Sequence, residues 1–236
     1  IADVYTHLKS ADRSVRQPFH LELESLRLYL GHFGITLAEL YKKTGADKAE
    51  IYREQLKLSK EQLSVIITPD PAGVGKRFGS KALANFNVQE FITYAGLSRK
   101  QLDELLSTTF LPEISKVKIK TIKDPADIQK YSENLDQLTA GRLDLIHRYL
   151  RLWRHTSWTS PEFDLVLNAL KQKGLLAGLE QVTAGRPGVL LLGCLTAFQE
   201  QLGLTVEELA TQVYRLPETA LKEGQKSFAS RIFNLP

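Results

Sequence analysis

Methionine is absent from the 236 residues, cysteine occurs once and tryptophan twice. A chain of this length ordinarily carries several methionines. Their absence leaves two readings: a segment that does not start at a natural initiator, or a chain from which methionines have been lost. The single cysteine, Cys194, excludes an internal disulfide. Long apolar runs are missing as well. The longest, Val189 to Leu192, spans four residues, far short of the roughly 18 that a membrane-spanning helix needs. The opening stretch IADVYTHLKS has neither a basic n-region nor an apolar h-region, so no secretory signal is visible. Charge of one sign is not concentrated anywhere. The 31 Lys and Arg against 27 Asp and Glu give a net charge of +4 spread along the chain, which is weak support for a nucleic-acid partner. What remains is ordinary for a globular protein, 43% hydrophobic and 25% charged, and long enough to bury a core in one large or two small domains.

Five short stretches share one device: ITLAEL (35–40), LSKEQL (58–63), LSRKQL (97–102), WTSPEF (158–163) and LTVEEL (204–209). Each has an apolar residue, Ser or Thr, two free positions, Glu or Gln, then an apolar residue. That is a capping box inside a hydrophobic staple. Thr36, Ser59, Ser98, Thr159 and Thr205 are placed to accept from the orphan amides of a first helical turn. Glu39, Gln62, Gln101, Glu162 and Glu208 are placed to reach back. Before Thr36, Ser98 and Thr205 the chain reads as a helix stopped by glycine (LESLRLYLGHFG, VQEFITYAG, LTAFQEQLG). Helix, glycine, one apolar residue and a capped helix make a tight corner. The irregular spacing of the caps excludes a strict solenoid. The fold expected is all-α, an irregular multi-helix domain over 1–236 built of such corners. SKVKIKTIK (115–123) breaks the pattern with strand periodicity and a wet, lysine-rich face, a small strand or hairpin that would join lobes 1–112 and 124–236. TPDPAGVGKRFGSK (68–81) reads as a flexible Pro/Gly/Lys loop.

Candidate chemistry fails in detail. Aligning Gly75-Lys76 on the phosphate-loop pattern puts Asp70 where its first glycine belongs and Arg77 in place of the hydroxyl ligand. His7, His20, His32, His147 and His155 have no zinc-site spacing and are expected on the surface or in packing. Cys194 in GVLLLGCLTAF reads as an inert core thiol. Glu207-Glu208 lies at a helix start, where the macrodipole explains it. No catalytic, cofactor-binding or metal residue is assigned, and no enzyme is expected.

The stretch RYLRLWRHTSWTSPEFDLVL (148–167) interleaves arginines with aromatics, which can mark a nucleic-acid surface. Ile146, Tyr149, Leu150 and Trp153 instead fall at i, i+3, i+4 and i+7, one apolar helical stripe. His147, Arg151, Arg154 and His155 then form a basic face with Arg148 at its flank. The arginines are expected to pair with carboxylates of neighbouring helices, from among Asp136, Asp144, Glu162 and Asp164. Trp158, in the staple position, is expected against Phe163. A helix-turn-helix is the rival reading, but its second helices at 37–43, 161–170 and 206–213 open with few basic residues, and VEEL and PEFD offer carboxylates there.

LDLIHRYLRLWRHTSWTSPEFDLVLNAL resembles the signature segment of the Tc toxin A component, the large insecticidal toxin subunit of entomopathogenic bacteria. QPFHLELESLRLYLGHFGITLAELY, YREQLKLSKEQLSVIITP, FITYAGLSRKQLDELLSTTF and LTAFQEQLGLTVEELATQV resemble its flanking segments in the same order, from about Pro18 to Leu209. SRIFNLP is similar to the approach to the next segment. Thr156-Ser157 departs from the family's small residue and glycine before the tryptophan, and the loop at 72–81 has no counterpart. The resemblance implies a piece of the N-terminal α-helical shell that encloses a central channel in a pentamer. It implies as partners the rest of the subunit, further copies, the subunits that carry the toxic cargo, and a host-cell receptor. Neither nucleic acid nor membrane insertion by this segment itself is implied, and the location would be extracellular. The alternative function is a helical DNA- or protein-binding module. An enzyme would need a polar pocket with converging titratable groups.

Overall fold

Each of the five capped stretches starts a helix in the structure, a computed structural model that describes residues 2–10, 18–79, 82–84, 86–123, 131–221 and 224–233. In chain order the helices before the first strand are α1 (Ala2–Ser10), α2 (Leu21–His32), α3 (Leu37–Thr44), α4 (Lys48–Gln55), α5 (Lys60–Ile67) and α6 (Val74–Arg77). Strand β1 (Phe86–Asn87) leads into α7 (Val88–Ala95), α8 (Arg99–Leu106) and α9 (Pro112–Ser115). Strands β2 (Lys118–Lys123) and β3 (Tyr131–Asp136) precede α10 (Ala140–Trp153) and α11 (Ser160–Gln172). A two-strand ribbon, β4 (Val182–Thr183) and β5 (Arg186–Pro187), is followed by α12 (Leu191–Leu202), α13 (Val206–Val213) and α14 (Phe228–Phe233). The fold is mainly α with a small antiparallel sheet.

The caps act as their chemistry requires. The Thr36 hydroxyl accepts from the Glu39 amide at 3.2 Å, and the Glu39 carboxylate accepts from the Thr36 amide at 2.8 Å. Ser59 with Gln62, Ser98 with Gln101 and Thr205 with Glu208 repeat the exchange. At Thr159 the Glu162 carboxylate takes both the amide, at 2.8 Å, and the hydroxyl, at 2.7 Å. Gly96 and Gly203 end α7 and α12 in the left-handed region at φ +59° and +63°, which side chains with a Cβ adopt at a penalty. Further caps escape the Ser/Thr box pattern: Asp47 and Asn87, which carry neither hydroxyl, accept from Ala49 and Gln89, and Thr139, with Arg142 in place of the returning Glu or Gln, accepts from Arg142.

The strand expected near 115–123 is β2, the outer member of a three-stranded sheet in the order β1-β3-β2. It pairs antiparallel with β3 from Lys118↔Asp136 to Lys123↔Tyr131. Val117, Ile119, Leu135 and Phe86 turn to the core, with Ile119 and Phe86 both opposite Leu135. The ribbon β4–β5 was not visible in the residue pattern. Its turn, Ala184-Gly185, has φ +50° and +74°, the two left-handed positions of a tight primed turn.

Two expectations are corrected. Residues 68–79 are not a loose loop: they contain α6, pinned by the buried Val74 and Phe78, with Arg77 bonded to Asp70 at 2.8 Å. Ser80 and Lys81, the end of that stretch, lie outside the described residues. Cys194 is half-buried rather than in the core, and it lies against Tyr52, whose phenol it helps to hold above its usual pKa.

One cluster of buried apolar side chains runs from Leu56 to Leu209 and includes residues on both sides of the strand pair. Its axis is α10, ten of whose fourteen residues are buried, packed against α5, α6 and α9. Elsewhere α12 meets α4 at van der Waals limits. A Cβ built on Gly193 would stand 2.1 Å from the Tyr52 carbonyl oxygen.

Replacing Thr36, Ser98 or Thr205 by Ala should each lower stability by about 1 kcal/mol in chemical denaturation. No loss at all three would remove the caps from the account of the fold. Gly193→Ala should also destabilise, by about 1–3 kcal/mol, although Ala is ordinarily the better helix former by roughly 1 kcal/mol. A more stable variant in the same measurement would show that α12 and α4 can part without penalty.

Candidate functional site

Helix α10 carries the segment with the most concentrated chemistry, and the structure buries both of its sides. Ile146, Tyr149 and Leu150 face the apolar core as their spacing requires. His147, Arg148 and Arg151, expected as a basic face, are 0%, 4% and 2% exposed. They are not a surface. Buried charge is tolerated only with partners, and each of these groups has one.

Arg148 donates from Nε to Asp144 at 2.9 Å, one turn back on the same helix, and from Nη1 to Glu180 at 3.2 Å. Asp144 also accepts from the Asp70 amide at 3.2 Å and stands 3.8 Å from Arg77. The other carboxylates expected as arginine partners serve elsewhere. Glu162 closes its capping box. Asp164 accepts from the Thr109 and Phe110 amides and the Thr109 hydroxyl, and with Thr108 and Asn168 it holds the turn after α8. Arg154 caps the end of α7 instead, donating to the carbonyls of Ala95 and Gly96. Trp158 packs on Phe163 with ring centroids 6.5 Å apart, as the staple position requires, and its backbone carbonyl accepts from the Trp153 indole at 2.8 Å.

The two histidines at this helix are locked neutral. Arg151 donates from Nε to His147 Nε2 at 3.0 Å, so the ring proton of His147 sits on Nδ1. That buried Nδ1 has no hydrogen-bond partner, and the ring stands edge-on to Phe78 at 5.9 Å. Burial, with Arg151, Arg77 and Arg148 close by, lowers the His147 pKa from 6.5 to about 2. Burial likewise lowers His155 to about 4, against the opposing effect of its 3.0 Å hydrogen bond to the Leu56 carbonyl. Burial, helped by the nearby Asp164 carboxylate, raises the Tyr149 phenol well above its usual value.

Neither of the two main cavities is lined by Asp144, His147, Arg148 or Arg151. A groove of about 750 Å³ runs between α8, α11 and the chain after α13, with Leu165, Ala169, Tyr214 and Pro217 among its walls. Of the carboxylates along it, Asp164 is already committed to the turn after α8. A second cavity of about 500 Å³ adjoins Trp153, Arg154 and Trp158, where both indole N–H groups already donate, to the Trp158 carbonyl and to Gln199. Among the described residues no cluster of three or more His, Cys, Asp or Glu is placed to hold a metal ion. Among them, too, no helix is long and apolar enough to cross a membrane.

Comparison with protein-family models, with curated proteins and with solved structures finds no match to this chain.

The neutral histidines set a pH dependence. Unfolded, each binds a proton below its ordinary 6.5; folded, His155 does so only near 4 and His147 near 2. Stability is therefore complete above about pH 6.5 and falls as pH drops below it, by up to about 1.4 kcal/mol per pH unit for each histidine. Urea titrations from pH 7 to pH 4 should show that slope. The pair H147Q and H155Q together should flatten it, since glutamine keeps an acceptor for Arg151 without titrating. An unchanged slope would assign the acid sensitivity to carboxylates.

Proposed function

We propose that this chain is a structural, non-enzymatic part of a large toxin subunit of the Tc A type, a section of the helical shell that encloses the channel. The order of resembling segments from Pro18 to Leu209 supports the family. The arginines of α10 support the scaffold role, because they are spent on Asp144, His147 and backbone carbonyls inside the fold. The observation that carries the interfacial role is α2. It has no buried residue, and Leu28, Tyr29 and the adjoining Phe33 are 70%, 63% and 64% exposed. Tyr29 and Phe33 stack edge to face, 5.2 Å apart, so the exposed surface is already ordered. A contiguous apolar face of this kind marks an interaction site, here a contact with the rest of the subunit or with a neighbouring copy. Further copies, cargo-carrying subunits and a host-cell receptor are the partners that belong to this reading, and an extracellular location goes with it.

The rival helix-turn-helix reading is weaker on the same ground. Helices α3, α11 and α13 begin with Glu39, Glu162 and Glu208 committed to their caps, where a recognition helix would face bases and phosphates.

Expression of the intact reading frame containing this chain, followed by light scattering and electron microscopy, tests the proposal. The expected product is a closed ring of subunits around a channel, weakened in assembly by Leu28→Glu with Tyr29→Glu. The chain by itself should release no dye from liposomes at acid or alkaline pH. A monomeric product of the intact frame, or dye release by this segment, would overturn the reading.

A further inference from the structure

Strand β2 is the outer edge of its sheet. Its six residues pair with β3 on one side only, in continuous register without a bulge. Among the described residues no backbone group from another element bonds to its other side. An edge of this kind is a row of backbone donors and acceptors set to receive another strand, unless something blocks it. Bulges, prolines and covering helices are the usual blocks, and among the described residues β2 has none of these along Lys118–Lys123. What it has is lysine. Lys118, Lys120 and Lys123 are exposed, and none has an ion-pair partner among the described residues.

That charge selects between visitors. A second copy of β2 would bring lysines against lysines, so the edge repels itself. An acidic strand is attracted by the same side chains. Beyond Glu133 the strand pair stands clear of the core. Thr121, Ile122, Lys123, Tyr131 and Ser132 are all exposed, with Ile122 at 40% and Tyr131 at 69%, so an added strand meets no wall among the described residues.

We propose that the outer edge of β2 takes up an acidic, extended peptide segment of a partner protein as an added strand. Lys118 and Lys120 would face its carboxylates, and Ile119 and Ile122 would pack its apolar side chains. Strand periodicity fixes the pattern. Lys118, Lys120 and Ile122 share one face, and Ile119, Thr121 and Lys123 the other. Read along β2, the facing residues of the guest are acidic, apolar, acidic, polar, apolar, acidic. Main-chain bonds supply the binding and the alternating side chains the selection. This surface goes beyond the shell role and does not rest on it.

The test uses the whole chain and a fluorescein-labelled peptide of sequence Glu-Val-Thr-Glu-Val-Glu, which sets that pattern opposite β2 in the antiparallel sense of the sheet, titrated by fluorescence anisotropy. Saturable binding is expected, weakened at least tenfold by K118E together with K120E, with circular dichroism unchanged. Of the two peptides of the same sequence N-methylated at alternate residues, the one whose methyl groups replace the amide hydrogens facing β2 should not bind, because it cannot complete the ladder, and the other should bind. Proline separates the two sides of the strand: of Lys120→Pro and Thr121→Pro, the one whose amide points outward should abolish binding and leave the fold intact. The other breaks the pairing to β3. Equal binding of both N-methylated peptides, of a scrambled peptide with its acids clustered, or of heparin would reduce β2 to a polycation and overturn the proposal. So would absence of saturable binding, which would leave the lysines as guards of the edge. Dimerisation of the chain through β2 would overturn it equally.

Discussion

The burial of the polar side of α10 is the constraint around which the rest of the molecule is arranged. A helix with apolar side chains on one side and arginines on the other ordinarily lies at a surface. Here it is the axis of the core, so every charge on its second side must be answered from within the fold. Asp144 answers Arg148 from the same helix, and the Ile66 carbonyl at the end of α5 stands 3.4 Å from the same guanidinium. Glu180 comes from the chain before β4, and Asp70 and Arg77 from the stretch that contains α6. Removing one member of such a group is strongly destabilising because it strands a charge in a medium that cannot solvate it; replacing all of them by well-packed apolar side chains can be neutral. The network therefore says more about register than about net stability. It permits only the arrangement in which α5, the 68–79 stretch and Glu180 meet α10 together.

The same constraint explains the histidines. With Arg77, Arg148 and Arg151 already in place, a further positive charge at His147 would face repulsion from three sides in addition to desolvation. Its neutral ring serves as the acceptor for Arg151 and as an edge for Phe78, at the expense of a buried Nδ1 without a partner. An unsatisfied buried donor destabilises by about 1–3 kcal/mol, less than a stranded guanidinium would. The network is completed around arginine, and histidine carries the residual defect.

How much of this was legible in the residues depends on range. The helix starts were, because a capping box is a contract among residues three apart and needs nothing distant: Thr36 with Glu39 and Ser98 with Gln101 are complete in the sequence. The strand at 118–123 was, since alternation shows within six residues, and so was the packing of Trp158 on Phe163. The burial of His147, Arg148 and Arg151 was not. An arginine stripe reads identically whether water or protein lies above it, and the groups that cover it come from elsewhere in the chain. The pairs Asp144–Arg148 and His147–Arg151, each at i, i+4, were the local trace of a self-sufficient face. In the 68–79 stretch, glycines and proline outweighed the one useful sign, the apolar pair Val74 and Phe78 at i, i+4. The environment of Cys194 was misjudged for a related reason: apolar neighbours in sequence do not say which side of α12 meets α4 and Tyr52. The candidate sites were legible mainly as exclusions, since the failed phosphate-loop match needed only the positions of Asp70 and Arg77.

At the other extreme from α10 stands α2. It has no buried residue; Leu21, Leu23 and Leu30 are half-buried, and Arg27 ties the helix to the body, donating from Nη2 to Glu54 at 2.9 Å, where the Glu54 side chain is 3% exposed. A helix with a few half-buried leucines, one sheltered ion pair and Tyr29 turned to solvent gains less apolar burial than the core helices to offset its ordering. Such elements open at low free energy relative to the core. The polarity of the two helices is thus inverted with respect to expectation, charge inside on α10 and apolar surface outside on α2. Both inversions are unfavourable for an isolated globule, and among the described residues only the first is compensated. In the proposed shell role, the compensation for the second would come from a surface laid over Leu28, Tyr29 and Phe33. Without that surface, α2 contributes more to the shape of the molecule than to its stability.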